Sequence, residues 1–183
     1  MDDDLATRAG LPDALRALLA ETPRAGWEAH PAFGPLTRFW LERHLGFRRL
    51  LGALQADARA GLDGGIEARA LAARLSRLGG AFLGGLEEHH GVEDHHYFPR
   101  MIALQPGLAR GFEILDADHH RLHEELALFA AGANAVLRGE GRGALGAFEA
   151  DLARMERFLD RHLTDEEELV VPVILKVGEG RLG

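Results

Sequence analysis

Ten histidines stand in this chain of 183 residues, and most lie at helical spacings from a carboxylate or from one another. His89 precedes Glu93 by four residues and His162 precedes Glu166 by four, which puts each pair on one face of a helix. A proline follows each glutamate by six residues, Pro99 and Pro172, so one pattern, His-x3-Glu-x5-Pro, occurs twice at an offset of 73. Leu75, Leu78, Phe82 and Leu86 lead at steps of three and four into His89 and Glu93. Leu145, Phe148, Leu152, Met155 and Leu159 lead likewise into His162, Glu166 and then Leu169. A histidine and a carboxylate therefore occupy core positions of two otherwise apolar stripes. An unpaired carboxylate in such a seam costs several kcal/mol, and neither stripe carries a Lys or Arg to offset it. A bound cation is the expected answer.

Two further stripes carry the rest. Trp40, His44, Phe47, Leu51 and Leu54 follow steps of four and three, which turns His44 inward. Phe112, Leu115, His119, His123 and Leu126 put two more histidines on one face. The predicted inward set is His44, His89, Glu93, His119, His123, His162 and Glu166, with Glu166 selected by the stripe over its neighbour Glu167. Five imidazoles and two carboxylates are too many for one octahedral ion and suit two. With both carboxylates and a solvent oxygen bridging, five histidines divide three and two, and one ion keeps an open position that suits a diatomic ligand. Imidazole and carboxylate without thiolate favours iron, then manganese; adventitious zinc or nickel is a further expectation for recombinant protein.

Neighbouring residues receive milder readings. His90, Asp94 and His120 sit about 100° round their helices from the stripe and read as supporting or surface groups. His30, His95 and His96 read as solvent-exposed. Tyr97, one turn beyond Glu93, is either a hydrogen-bond donor near the metals or an ordinary core aromatic. Trp40, Phe47, Phe82 and Leu86 are candidates to wall a dry pocket at the two-histidine metal.

Long helices must position these groups. Helix formers dominate and β-branched residues are scarce outside Leu169 to Val177, which makes the chain all-α. Punctuation predicts a short helix from Pro12-Asp13 to Thr22-Pro23, then four long ones: about 35–60, 66–98, 108–138 and 144–170. Pro99 and Pro172 are expected to end the second and fourth. Short connections imply an up-down-up-down four-helix bundle over 35–174, with an N-terminal extension over 1–34 and a tail over 175–183. Gly65 to His89 is 24 residues whereas His44 to Gly61 is only 17. The second helix should therefore start late, overhang, or break near Gly79-Gly80 or Gly84-Gly85.

Composition narrows the function. The formal charge of −8 gives no electrostatic footprint for nucleic acid or anionic lipid. The absence of Cys excludes disulfides, thiolate metal sites and a Cys nucleophile. The longest stretch lacking charge and His is 12 residues, Leu126 to Leu137, too short for a membrane span. The acidic opening Met1-Asp2-Asp3-Asp4 is unlike a signal peptide, so a cytoplasmic protein is expected. Ferritin-like sites need Glu-x-x-His on two different helices, whereas Glu87-x-x-His90 and Glu93-x-x-His96 both fall on the second, so that pattern fails; the zinc-protease His-Glu-x-x-His motif and phosphate-binding glycine loops do not occur.

The segments Glu88-His89-His90-Gly91-Val92-Glu93-Asp94 with Phe98-Pro99, Asp118-His119-His120-Arg121-Leu122-His123, and Arg161-His162-Leu163-Thr164-Asp165-Glu166-Glu167 resemble the hemerythrin-like, or HHE cation-binding, family of four-helix di-iron proteins. The resemblance spans roughly Phe33 to Ile174. It implies two oxo- or hydroxo-bridged iron ions. His119, His123 and His162 would hold one, His44 and His89 the other, with Glu93 and Glu166 bridging. It also implies binding or sensing of O2 or NO, more a binding protein than an enzyme. A di-iron oxidoreductase acting on peroxide or NO, and iron storage or donation, are the alternatives.

Overall fold

The computed structural model describes residues 4–183; the acidic opening before Asp4, on which the signal-peptide reading rested, lies outside them. Among the described residues the regular structure is entirely helical: α1 (Ala17–Glu21), α2 (Pro35–Leu62), α3 (Ala68–Val92), α4 (Phe98–Leu104), α5 (Ala109–Leu137) and α6 (Arg142–Val177). A π-helical turn, Glu93–Tyr97, joins α3 directly to α4. No helix among these residues is long and apolar enough to cross a membrane.

The helix ends follow from local chemistry. At the end of α2 the Gly65 N–H reaches back to the Ala60 carbonyl at 2.7 Å, with Gly64 at φ +72° supplying the left-handed residue that this closure needs. The start of α2 is capped from far along the chain: the Glu179 carboxylate accepts the N–H groups of Gly34, Leu36 and Thr37 and the Thr37 hydroxyl. A Cβ on Gly34 would lie 2.4–2.9 Å from that carboxylate, so this contact requires glycine.

The break offered for helix two and both proline stops are overturned. Helix α3 starts only two residues later than Ile66 and runs unbroken through both glycine pairs. Gly79 faces Phe129 at ordinary van der Waals distance, and Gly80 and Gly84 face open space, so nothing there forces a break. Pro99 does not end the helical run; it sits in the first turn of α4, where its missing N–H costs nothing. Pro172 lies inside α6, which continues to Val177. Every residue from Leu169 to Leu175 is buried, so packing holds the α-helix across the proline.

Two compact units make up the chain. One comprises residues through 44, with 90–120 and 160–183. Its core joins Trp40, Phe98, Phe112, Leu115, Val170, Val173 and Ile174 to Leu11, Leu15 and Leu18 of the N-terminal extension. Trp27 packs separately against Val171 and Leu175. The other unit comprises 45–89 and 121–159. Its aromatic core packs Phe129 against Phe82, tilted at 5.4 Å, and against Phe148, edge-on at 5.3 Å. Gly61 lets Leu71 and Leu145 approach closely, since a Cβ there would meet them at 2.8 and 2.9 Å.

Candidate metal centre

The π-turn decides how the helix carrying His89 and His90 delivers its carboxylate. The Phe98 N–H bonds to the Glu93 carbonyl five residues back, widening the turn at Glu93. The exposed His95 ring donates from Nδ1 to the Gly91 carbonyl at 2.7 Å. Glu93 itself is 1% exposed.

Three buried imidazoles converge from three helices, His90 from the end of α3 and His119 and His162 from within α5 and α6. His90, His119 and His162 offer ligand atoms within 4.8 Å of one another. His90 stacks on His119 at 4.1 Å and 11°, and His162 meets His119 edge-on at 4.8 Å. The outer nitrogens of two of these rings face carboxylates. His119 Nδ1 donates to Asp94 Oδ1 at 2.7 Å and His162 Nδ1 to Asp118 Oδ2 at 3.3 Å. Each Nδ1 then carries the proton and each Nε2 presents a lone pair. Nε2 of His119 and Nε2 of His162 are buried and make no hydrogen bond. That is the tautomer a metal ion needs, held by the carboxylate–histidine arrangement common behind metal ligands. Burial lowers the His162 pKa, against the opposing hydrogen bond to Asp118, and so favours the neutral ring.

His44, His89, Glu93 and Glu166 form a second group with ligand atoms within 4.8 Å of one another. His44 Nδ1 lies 3.0 Å from Glu167 Oε1, and its Nε2 lies 3.3 Å from Glu166 Oε1. The Trp40 indole N–H donates to the same Glu166 oxygen. Glu166 Oε2 faces His162 Nε2 at 3.5 Å, and Glu93 Oε2 faces His119 Nε2 at 3.6 Å, so the two carboxylates connect the two groups. Burial, together with the facing Glu166 carboxylate, holds the Glu93 carboxyl well above the ordinary carboxylate range. Two buried carboxylates facing buried imidazole lone pairs suit a shared dication pair: each added charge relieves the repulsion that burial amplifies. The donor set, imidazole nitrogen and carboxylate oxygen with no sulfur, fits iron or manganese.

Six of the seven sequence-predicted ligands fall in these groups: His44, His89, Glu93, His119, His162 and Glu166. His123 does not; it is exposed, and His90 stands with His119 and His162 in its stead. The buried stripe of α5 runs Phe112, Leu115, His119, Leu122, Leu126, Phe129, Ala133, an unbroken alternation of three and four. Two successive steps of four, as the His123 reading required, rotate off that face by about 80°. The same strict alternation was the available signal. His90 had only a weak one, a second histidine beside His89. His95, His96 and His120 are exposed; His30 is half-buried and its Nδ1 accepts the Ala32 N–H. Tyr97 packs edge-on to Trp40 at 5.0 Å. Phe47 lies 5.3 Å from the His89 ring, and Trp40, Phe47, Phe82 and Leu86 are all buried.

Comparison with known proteins agrees with this chemistry. No curated protein and no solved structure matches the chain. The family model for the hemerythrin HHE cation-binding domain matches residues 36–180, from the first turn of α2 to just past the end of α6, and takes in both histidine groups and both glutamates. A match over that much of the chain makes this protein a member of the hemerythrin HHE cation-binding family.

Proposed function

We propose that this protein holds two iron ions and binds or senses O2 or NO at an open position on one of them. His90, His119 and His162 would hold one ion, His44 and His89 the other, with Glu93 and Glu166 shared. The observation that carries the reading is the unequal division of imidazoles, three against two, around two facing carboxylates. When bound, the iron pair would supply a redox-active site with one position open to exchange. The chain's own residues keep that site selective. Asp94, Asp118 and Glu167 orient His119, His162 and His44. Trp40 restrains one oxygen of Glu166. The buried side chains Trp40, Phe47, Phe82 and Leu86 exclude water and protons, which favours reversible binding over turnover. The same reading takes α2, α3, α5 and α6 as an up-down-up-down four-helix bundle, and the cytoplasm as the site of action.

Optical spectroscopy of the iron-loaded protein tests this. The reading requires two irons per chain, a new charge-transfer band when azide is added to the oxidised protein, and an oxygenated spectrum that reverses on degassing. One iron per chain overturns the dinuclear reading. Two irons with immediate oxidation in air and no azide band overturn reversible binding and favour an oxidoreductase or an iron-handling role.

A further inference from the structure

Arg8 and Arg24 lie in the N-terminal extension, outside the matched family domain, yet both reach carboxylates that back metal-facing histidines. The Arg8 side chain is 2% exposed. It grips Asp118 with both terminal nitrogens, Nη1 to Oδ1 at 2.7 Å and Nη2 to Oδ2, and its Nε donates to Asp165 at 2.8 Å. Asp118 Oδ2 is the oxygen that accepts from His162 Nδ1. Arg24, laid over the buried Trp27 ring at 5.0 Å, pairs with Glu167 Oε2, whose other oxygen faces His44 Nδ1. One short segment thus holds an Arg–carboxylate–His chain to each of the two ligand groups.

We propose that Arg8 and Arg24 are positioning residues of the metal centre: through Asp118 and Glu167 they fix the rings of His162 and His44 with Nε2 inward, so that metal retention depends on the N-terminal extension. The proposal rests on the dinuclear reading above. An ionised carboxylate only accepts hydrogen bonds, so a carboxylate pinned by a guanidinium leaves the adjacent imidazole one orientation. With the guanidinium gone the carboxylate swings or rehydrates, and the ring behind the metal loses its stop. Arg16 provides the contrast. It also ties the extension down, pairing with Glu168 and Asp13, but among the described residues neither carboxylate bonds to one of the clustered histidines.

Cobalt(II) titration of the full chain, read by its visible ligand-field bands and by competition with a chelator, tests the proposal. Arg8→Gln and Arg24→Gln should each weaken cobalt binding about 10–100-fold, the range typical of outer-sphere partners of metal ligands, and shift the bands. Arg24→Lys should recover most of the loss, and Arg16→Gln should keep wild-type affinity and spectrum. Far-UV circular dichroism of the metal-free proteins checks that each variant folds. If Arg8→Gln does not fold, Arg24→Gln decides, because its side chain is half exposed and its loss leaves the core intact. Unchanged affinity and bands in Arg24→Gln, or an equal loss in Arg16→Gln, overturn the proposal and leave the extension a structural strap. Fewer than two cobalt ions per wild-type chain overturns the dinuclear reading and the proposal with it.

Discussion

The two copies of His-x3-Glu-x5-Pro share a spacing and differ in almost everything the backbone does with it. In the first, the turn after Glu93 widens into a π-helix and Pro99 opens a new helix. In the second, Glu166 and Pro172 lie within one continuous helix, α6. Proline is common to both, so it is not the cause. The residues between differ in their surroundings: His95 and His96 face solvent, whereas Leu169, Val170 and Val171 are buried. A turn can bulge cheaply toward water, but a bulge inside a packed core leaves voids. The copies also differ one residue after the histidine. His90 in the first corresponds to Leu163 in the second, and both are buried. The three-to-two division of imidazoles comes from that single difference.

The largest expected effect tests the shared part of the pattern. Glu166→Ala or His162→Ala should abolish retention of at least one metal, measured as iron per chain after chelator challenge. The variants should also lose the stabilisation that bound metal confers, about 3 kcal/mol for a free-metal concentration near a hundred times Kd. Equal melting temperatures for wild type and variant in excess iron would show that the pattern is not a ligand pattern.

The next test breaks the asymmetry. His90→Ala should lower metal affinity at the three-histidine position, while His123→Ala should leave loading unchanged and stability within about 0.5 kcal/mol, as for other exposed positions. Equal metal content in the two variants would remove His90 from the centre.

A third prediction concerns what the unbroken second copy makes possible. Because α6 passes Pro172 and ends at Val177, Glu179 is delivered to the start of α2. Gly34→Ala should destabilise the fold by about 0.5–2 kcal/mol, no more than removal of the carboxylate, because the flexible Glu179 side chain can swing away and give up the cap. Glu179→Ala should cost about 0.5–2 kcal/mol through the lost cap, seen in chemical denaturation.

The smallest effect is in pH. Burial alone would raise the Glu179 carboxyl, but the hydrogen bonds from Thr37, Leu36 and Gly34 outweigh it and hold the carboxyl below its ordinary 4.5. A carboxyl with a depressed folded-state pKa stabilises the protein above the unfolded value and loses that contribution as pH falls through the folded one. The stability difference between wild type and Glu179→Ala should therefore shrink on acidification below about 4.5 and stay flat above it, by an amount reduced by partial solvent exposure. A difference independent of pH would mean that the cap acts through shape alone.

Much of this was legible beforehand, for a reason visible in α6. Its stripe runs at strict steps of three and four from Leu145 to Leu169, and a helix has no freedom to put such residues anywhere but on one face. His44 and His119 lie on stripes of the same kind, whereas the stripe that ends on Glu93 takes two successive steps of four, Leu78 to Phe82 to Leu86. The sequence is least informative where adjacent residues compete or distant packing decides. On α5 the buried position is Leu122 and its neighbour His123 is exposed. His90 lies beside the stripe of α3, and helix rotation alone does not say which elements stand on either side of it.

From its periodicity and its histidine and carboxylate content, the chain by itself determined that long amphipathic helices would bring imidazoles and two glutamates into an apolar interior. These are local properties, repeated every turn, and a single helix expresses them. Only the tertiary structure decided that His90 and not His123 joins His119 and His162, that one proline follows a π-turn while the other lies within a helix, and that Arg8, Arg24 and Glu179 reach across more than a hundred residues of sequence to their partners. Those outcomes depend on which surfaces meet and what they bury, and no local pattern carries that information.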